Sequence, residues 1–278
     1  METELGLEYN RREILIQEDM RMIKAIFFDV DGTLVSFQTH RMSQRLLEGL
    51  TRLREKGIKL FIATGRHRHS IGPVEVFSFD GYITVNGQFC FAGEQILRSN
   101  PIPQDIVVQQ VEQMEINKAP CLFLGETETL FINPNPRTDV FPKQLNLPLP
   151  SPVAPKQILG QKIYQMTPFF TKEEELSAGD SFFPGLEIMR WHPAFVDVIA
   201  PGGGKDRGMD AILKHFDIKL EETMAFGDGE NDLPMLRHAN IGVAMGNAGN
   251  YVKGQADYVT SSVDEDGIVT ALEHFGIL

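Results

Sequence analysis

Cysteine is scarce in this chain: Cys90 and Cys121 are the only two among 278 residues. Two thiols cannot build the disulfide framework of a small secreted domain. Both lie in apolar stretches, QFCFAG and APCLFLG, that suit buried, reduced thiols. Long apolar runs are missing too, and none approaches the roughly 20 residues that cross a bilayer. The N-terminal stretch METELGLEYNRREILIQEDMRM mixes charges throughout and lacks the apolar core of a secretory signal. The cytosol is therefore the expected compartment, with no membrane partner. Positive charge is in deficit, 26 Lys+Arg against 38 Asp+Glu, for a net charge of −12. Such a chain has no broad basic footprint for nucleic acid. A phosphorylated molecule is still within reach if a metal ion or a few placed cations handle its charge. There is no internal repeat.

What the chain does have is alternation. KAIFFDV (24–30), IKLFIAT (58–64) and FDGYITV (79–85) read as buried strands. Between the first two, Leu46, Leu47, Leu50 and Leu53 mark one helical face, and Gly57 supplies a stop. The pattern resumes with strands at 195–200, 223–228, 241–245 and 257–260 and helices at 205–216, 231–238 and 265–275. Strand, helix, strand at this spacing predicts an α/β fold, a doubly wound, mostly parallel Rossmann-like sheet. The middle differs, with short strands at 88–91, 121–124, 128–132, 162–166 and 186–191, one helix near 103–116, and the proline-rich LPLPSPVAP (147–155). That texture predicts an inserted α+β cap over 86–190, between core segments 23–85 and 191–278. Residues 1–22 find no place in the sheet and are expected to be an accessory segment.

The chemistry is written at strand ends, where open α/β sheets bind ligands. Asp29-Val30-Asp31-Gly32-Thr33 follows the first apolar run, although an Asp-Gly pair also serves as a plain turn. Gly227-Asp228-Gly229-Glu230-Asn231-Asp232 follows a later one. Its first glycines share dinucleotide-loop spacing, but Asp232 stands at the sixth position and the acidic residues would repel a pyrophosphate. Carboxylates clustered at strand ends suit a hard cation such as Mg²⁺ instead. Thr64, in Ala63-Thr64-Gly65-Arg66, offers a hydroxyl and a free backbone turn to a phosphate. Lys205 follows three glycines and opens a helix, where a cation and a helix N-terminus meet an anion. His67 and His69 are two apart and diverge on a helix, so no metal pair is expected there.

In order and spacing these four motifs resemble the haloacid dehalogenase superfamily of phosphohydrolases, over about residues 22–278. The insertion after the third strand, preceded by ITVNG (83–87), is similar to the Cof-type subfamily of sugar-phosphate phosphatases. One departure is visible: Asp206-Arg207 intervene between Lys205 and Gly208. The resemblance implies an enzyme that hydrolyses small phosphorylated metabolites, most of all sugar phosphates, with Mg²⁺ as cofactor. It makes Asp29 the nucleophile that forms an aspartyl-phosphate and Asp31 the acid/base. Asp29, Asp228 and the backbone carbonyl of Asp31 become the metal ligands. Thr64 and Lys205 bind phosphate oxygens, joined by Gly65, Arg66 and Asn231, with Asp232 in support. A sugar phosphomutase would share the core, cap and intermediate, and cap residues decide between the two. A receiver-type signalling module also uses Asp, Thr, Lys and Mg²⁺. It is about half this length and places its phosphorylated Asp later in the chain.

Overall fold

A computed structural model describes residues 23–178 and 182–278. The expected accessory segment 1–22 lies outside the described residues. In chain order the strands are β1 (Ala25–Phe28), β2 (Lys59–Ala63), β3 (Gly81–Thr84), β4 (Phe89–Ala92), β5 (Gln95–Ser99), β6 (Cys121–Gly125) and β7 (Thr129–Ile132). They continue with β8 (Ile163–Pro168), β9 (Glu187–His192), β10 (Phe195–Ile199), β11 (Thr223–Gly227), β12 (Ile241–Ala244) and β13 (Tyr258–Val259).

Eight strands form one sheet in the order β13-β12-β11-β1-β2-β3-β4-β5. The run from β13 to β3 is parallel, and β4 and β5 close the far edge antiparallel. The central strands are buried on both faces, which is why they read as unbroken apolar runs. Period-two alternation divides them between two cores. Ile26, Phe28, Leu60, Ile62, Met224 and Phe226 face one side, packed with Leu46, Leu50 and Leu53 of the helix Gln44–Glu55. Ala25, Phe27, Phe61, Ala63 and Ala225 face the other, under Met209, Ile212 and Leu213 of the helix Lys205–Phe216. Ser43 starts the first of these helices by accepting the Leu46 N–H through its hydroxyl at 3.0 Å.

A second, antiparallel sheet has the order β7-β6-β8-β10-β9. Cys121, Phe123, Val196 and Val198 pack on one face against Val107, Val111 and Met114 of the helix Gln104–Asn117. The opposite face carries Leu122, Leu124, Phe131 and Phe195 and packs against Val85, Phe89 and Phe91 at the edge of the first sheet.

The expected seams at 86 and 190 differ from the observed sheets. β4 and β5 extend the eight-stranded sheet although both fall within 86–190. The strand at 195–199, expected to resume the core, pairs with β8 and β9 in the second sheet. Apolar alternation reveals that a segment is a strand, but long-range pairing decides which sheet it joins. Among the described residues, no helix is long and apolar enough to cross a membrane.

Candidate active site

The strand order reverses beside β1. From β1 the chain proceeds to β2 and β3 on one flank, then returns through β11 to β12 and β13 on the other. Asp29 follows β1 and donates its N–H to Phe226 O on β11 at 3.0 Å. Asp228 follows β11 and Thr64 follows β2, so the motif residues meet at this switch point. The Asp-Val-Asp-Gly-Thr turn is held by Val35 N–H to Val30 O (2.8 Å) and Gly32 N–H to Val35 O (2.9 Å). Gly32 has φ +85°, and a Cβ there would collide with Asp228 Oδ2, so both conformation and space require glycine.

Lys205, the first residue of its helix, has no solvent exposure. Its ammonium donates to Asp29 Oδ1 at 2.6 Å and to Asp232 Oδ1 at 2.5 Å. Asp232 Oδ2 accepts the N–H groups of Asp228 (2.9 Å) and Gly229 (2.8 Å). Both Asp232 oxygens are thus spent on bracing Lys205 and shaping the loop that carries Asp228. Asp228 accepts the Thr33 hydroxyl on Oδ1 (3.1 Å) and Asn247 Nδ2 on Oδ2 (3.2 Å).

Charge at this cradle is unbalanced. Asp29, Asp228 and Asp232 each offer an oxygen within 4.8 Å of the others, while one ammonium faces them. Burial and the Asp232 carboxylate push Asp29 up to about 7, although Lys205 pulls the other way. Burial and Asp29 push Asp228 well above the usual carboxylate range. Burial disfavours the Lys205 charge, but Asp232 and Asp29 more than reverse this and hold its value above the ordinary lysine range. Surplus carboxylate with all-oxygen donors, from Asp29, Asp228 and Asp232, fits a hard divalent cation.

Asp31 is placed differently. Its two oxygens accept Nε and Nη2 of Arg66, each at 2.6 Å. The same guanidinium donates to Ser70 O (2.7 Å) and to Leu145 O (3.4 Å), and the Arg66 N–H donates to the Thr64 hydroxyl (3.1 Å). Arg66, grouped with the phosphate binders from sequence, therefore spends its guanidinium on Asp31 and on two carbonyls. Thr64, Gly65, Asn231 and Asp232 share the lining of one cavity of about 250 Å³ with Asp29, Asp31 and Asp228. Lys205 sits beneath it. The second sheet contributes Leu122, Leu124, Thr129, Gln165, Thr167 and Asp197, and the segment after β7 adds Phe141, Gln144 and Leu145.

His67 is buried and drawn down to about 4 by that burial, and its Nε2 donates to Gly125 O at 3.0 Å. It is a neutral anchor between the sheets. Sequence reasoning missed Thr33, Asn247, Asn86 and Asp197. Thr33 lay in plain view inside the first motif, while Asn247, in Gly246-Asn247-Ala248, has no sequence signature for its bond to Asp228.

A lysine-braced set of aspartates at the switch point of a parallel sheet, roofed by an antiparallel module, defines a phosphohydrolase of the haloacid dehalogenase class. Residues 26–272 match the haloacid dehalogenase-like hydrolase family, and the chain belongs to it. "Putative phosphatase YkrA" of Bacillus subtilis is 32% identical over 259 residues, covering 92% of this chain and 98% of its own. The HAD subclass IIB sugar phosphatase BT4131 is similar in structure, with a TM-score of 0.87 at 46% identity over 92% of this chain and 100% of that one. The phosphatase BT1666 from Bacteroides thetaiotaomicron aligns with a TM-score of 0.84 at 34% identity, over 92% and 96% of the two chains. The chain is thus a phosphatase of the Cof type with a cap, in a family whose members generally use a divalent metal.

Proposed function

We propose that this phosphatase hydrolyses small phosphorylated metabolites, sugar phosphates foremost, with Mg²⁺ as cofactor and through an aspartyl-phosphate on Asp29. The observation that carries the reading is the convergence of Asp29, Asp31, Thr64 and Asn231 on one cavity above the Lys205 ammonium. Lys205 fixes the Asp29 carboxylate through Oδ1. An Asp29 oxygen then forms a bond to phosphorus while the ester oxygen leaves with a proton from Asp31. Water attacks the same phosphorus next, gives its proton to Asp31 and frees Asp29. Arg66 occupies both Asp31 oxygens here, orienting the carboxylate, and one of those two bonds gives way when Asp31 carries the proton. Thr64 and the turn at Gly65 receive phosphate oxygens, with Asn231 beside them. Asp29, Asp228 and the carbonyl of Asp31 would hold the Mg²⁺, which screens the repulsion between carboxylate and phosphate.

The second sheet serves as the cap that reads the leaving group. Leu122, Leu124 and Phe141 suit the apolar face of a sugar ring, and Thr129 and Gln144 suit its hydroxyls. The name of the sugar phosphatase neighbour supports that substrate class. A cytosolic workplace fits the free, buried thiols of Cys90 and Cys121. The test is phosphate release over a panel of phosphorylated metabolites, with Mg²⁺ and after chelation, without a bisphosphate activator. Metal-dependent release, fastest on sugar phosphates, is expected. Full turnover after exhaustive chelation removes the metal role, and bisphosphate-dependent isomerisation of a sugar phosphate without phosphate release makes the protein a mutase.

A further inference from the structure

The turn from β3 to β4 is made by Val85, Asn86 and Gly87, with φ of 45°, 52° and 85°. Positive φ is costly for a β-branched valine and persists only where the surroundings enforce it. What enforces it here is Asn86, which has no solvent exposure. Its N–H donates to Thr64 O and its carbonyl accepts the N–H of Gly204, the residue before Lys205, both at 3.0 Å. Its side-chain nitrogen donates to Gln165 Oε1 (3.0 Å) and Asp197 Oδ2 (2.9 Å) in the second sheet. Its side-chain oxygen accepts from Asn231 Nδ2 at 3.1 Å. One residue touches the loops that carry Thr64, Lys205 and Asn231, and the inner face of the cap sheet as well.

The direction of these bonds is not arbitrary. A carboxylate only accepts, so Asp197 compels Asn86 to face it with nitrogen. The oxygen of Asn86 is then aimed at Asn231, which must answer with its own nitrogen and turn its oxygen toward Gly229. Asp197 is held in turn by the Thr167 hydroxyl at 2.8 Å. We propose that Asn86 is a positioning residue: with the cap sheet seated, Asp197 orients the Asn86 amide, and Asn86 orients Asn231 in the phosphate site. This rests on Asn231 being a phosphate ligand. Asparagine alone among residues of its size supplies an acceptor and two donors in one plane.

The test is kcat/KM for phosphate release in a donor–acceptor swap and in a double-mutant cycle, at a temperature where each variant is folded. Asn86→Asp sets two carboxylates face to face and should lose roughly tenfold or more. Adding Asp197→Asn supplies a donor at 197, the Gln165 amide that accepted from Asn86 can turn its nitrogen to the carboxylate at 86, and that carboxylate still accepts from Asn231. The double variant should return to within about threefold of wild type. Asn86→Ala should cost roughly tenfold in the wild-type background and under about twofold in Asn231→Ala, because the residue through which it acts is gone. A folded swap variant that recovers nothing, or losses that multiply in the cycle, overturns the proposal. If a single variant does not fold, the swap variant decides by the same threefold criterion. Wild-type kcat/KM in Asn231→Ala alone refutes the phosphate role of Asn231 and the relay with it, whereas failure of the swap beside a damaged Asn231→Ala refutes the relay only.

Discussion

Replacing Lys205 with methionine probes the charge arrangement on which the site depends. The side chain is wholly buried, and its ammonium bonds Asp29 and Asp232, whose side chains are 9% and 1% exposed. Lys205→Met keeps most of the volume and removes the charge, leaving two buried carboxylates without their cation. Breaking a buried pair in this way costs about 3–5 kcal/mol. For a chain of this size that is a fall in Tm of roughly 6–20 °C. The loss should depend on pH, with a definite sign. The Asp29 carboxyl stands at about 7 against an ordinary 3.8, raised by burial and Asp232 and restrained by Lys205. Between those values the folded chain holds a proton that the unfolded chain has released, so acid favours the folded state and the advantage fades as pH rises through about 7. Without the ammonium, the Asp29 value rises further. The deficit in Lys205→Met should therefore be largest at pH 8.5 and smaller at pH 5.5, where proton uptake neutralises one abandoned carboxylate. Calorimetry of wild type and variant in metal-free buffer at both pH values reads this directly. A drop below 2 °C at pH 8.5, or equal drops at the two pH values, would refute the reasoning.

Asn247→Ala, which strips Asp228 of its bond on Oδ2, should raise the Mg²⁺ concentration for half-maximal activity by roughly tenfold; an unchanged metal titration contradicts this. Gly32→Ala forces a side chain into a φ of +85° and against Asp228, and should cost about 1–3 kcal/mol in urea denaturation. A change under 0.5 kcal/mol would mean that the turn relaxes at little cost. Phe141→Ala removes part of the cavity roof, and should raise KM and reorder the substrate panel while leaving kcat for small esters nearly intact. An identical ranking would locate specificity in the core.

Buried parallel strands are apolar on both faces, so β1, β2 and β11 announced themselves as short runs, and the aspartates follow directly after two of them. Sheet membership was less legible. β4, β5 and β10 are as apolar as their neighbours, and only their pairing partners distinguish core from cap. Asn86 shows the same limit at the site. It stood in ITVNG as a junction residue, but its side-chain partners lie 79, 111 and 145 positions away. The family resemblance groups Arg66 with the phosphate binders. Its guanidinium went to Asp31, 35 positions earlier, and to a carbonyl 79 positions later. Local pattern identifies which groups are present, and tertiary contacts decide which of them are already engaged.

The central claim is that Asp29 carries the phosphoryl group. It is tested most directly by rapid acid quench of the Mg²⁺-loaded enzyme with a ³²P-labelled sugar phosphate, followed by peptide mapping. Label on the peptide containing Asp29, absent in Asp29→Asn, is the predicted result; with a labelled nitrophenyl phosphate, whose leaving group needs little protonation, it should accumulate in Asp31→Asn. Label on Asp31 in the wild type, or normal turnover by Asp29→Asn, would contradict it.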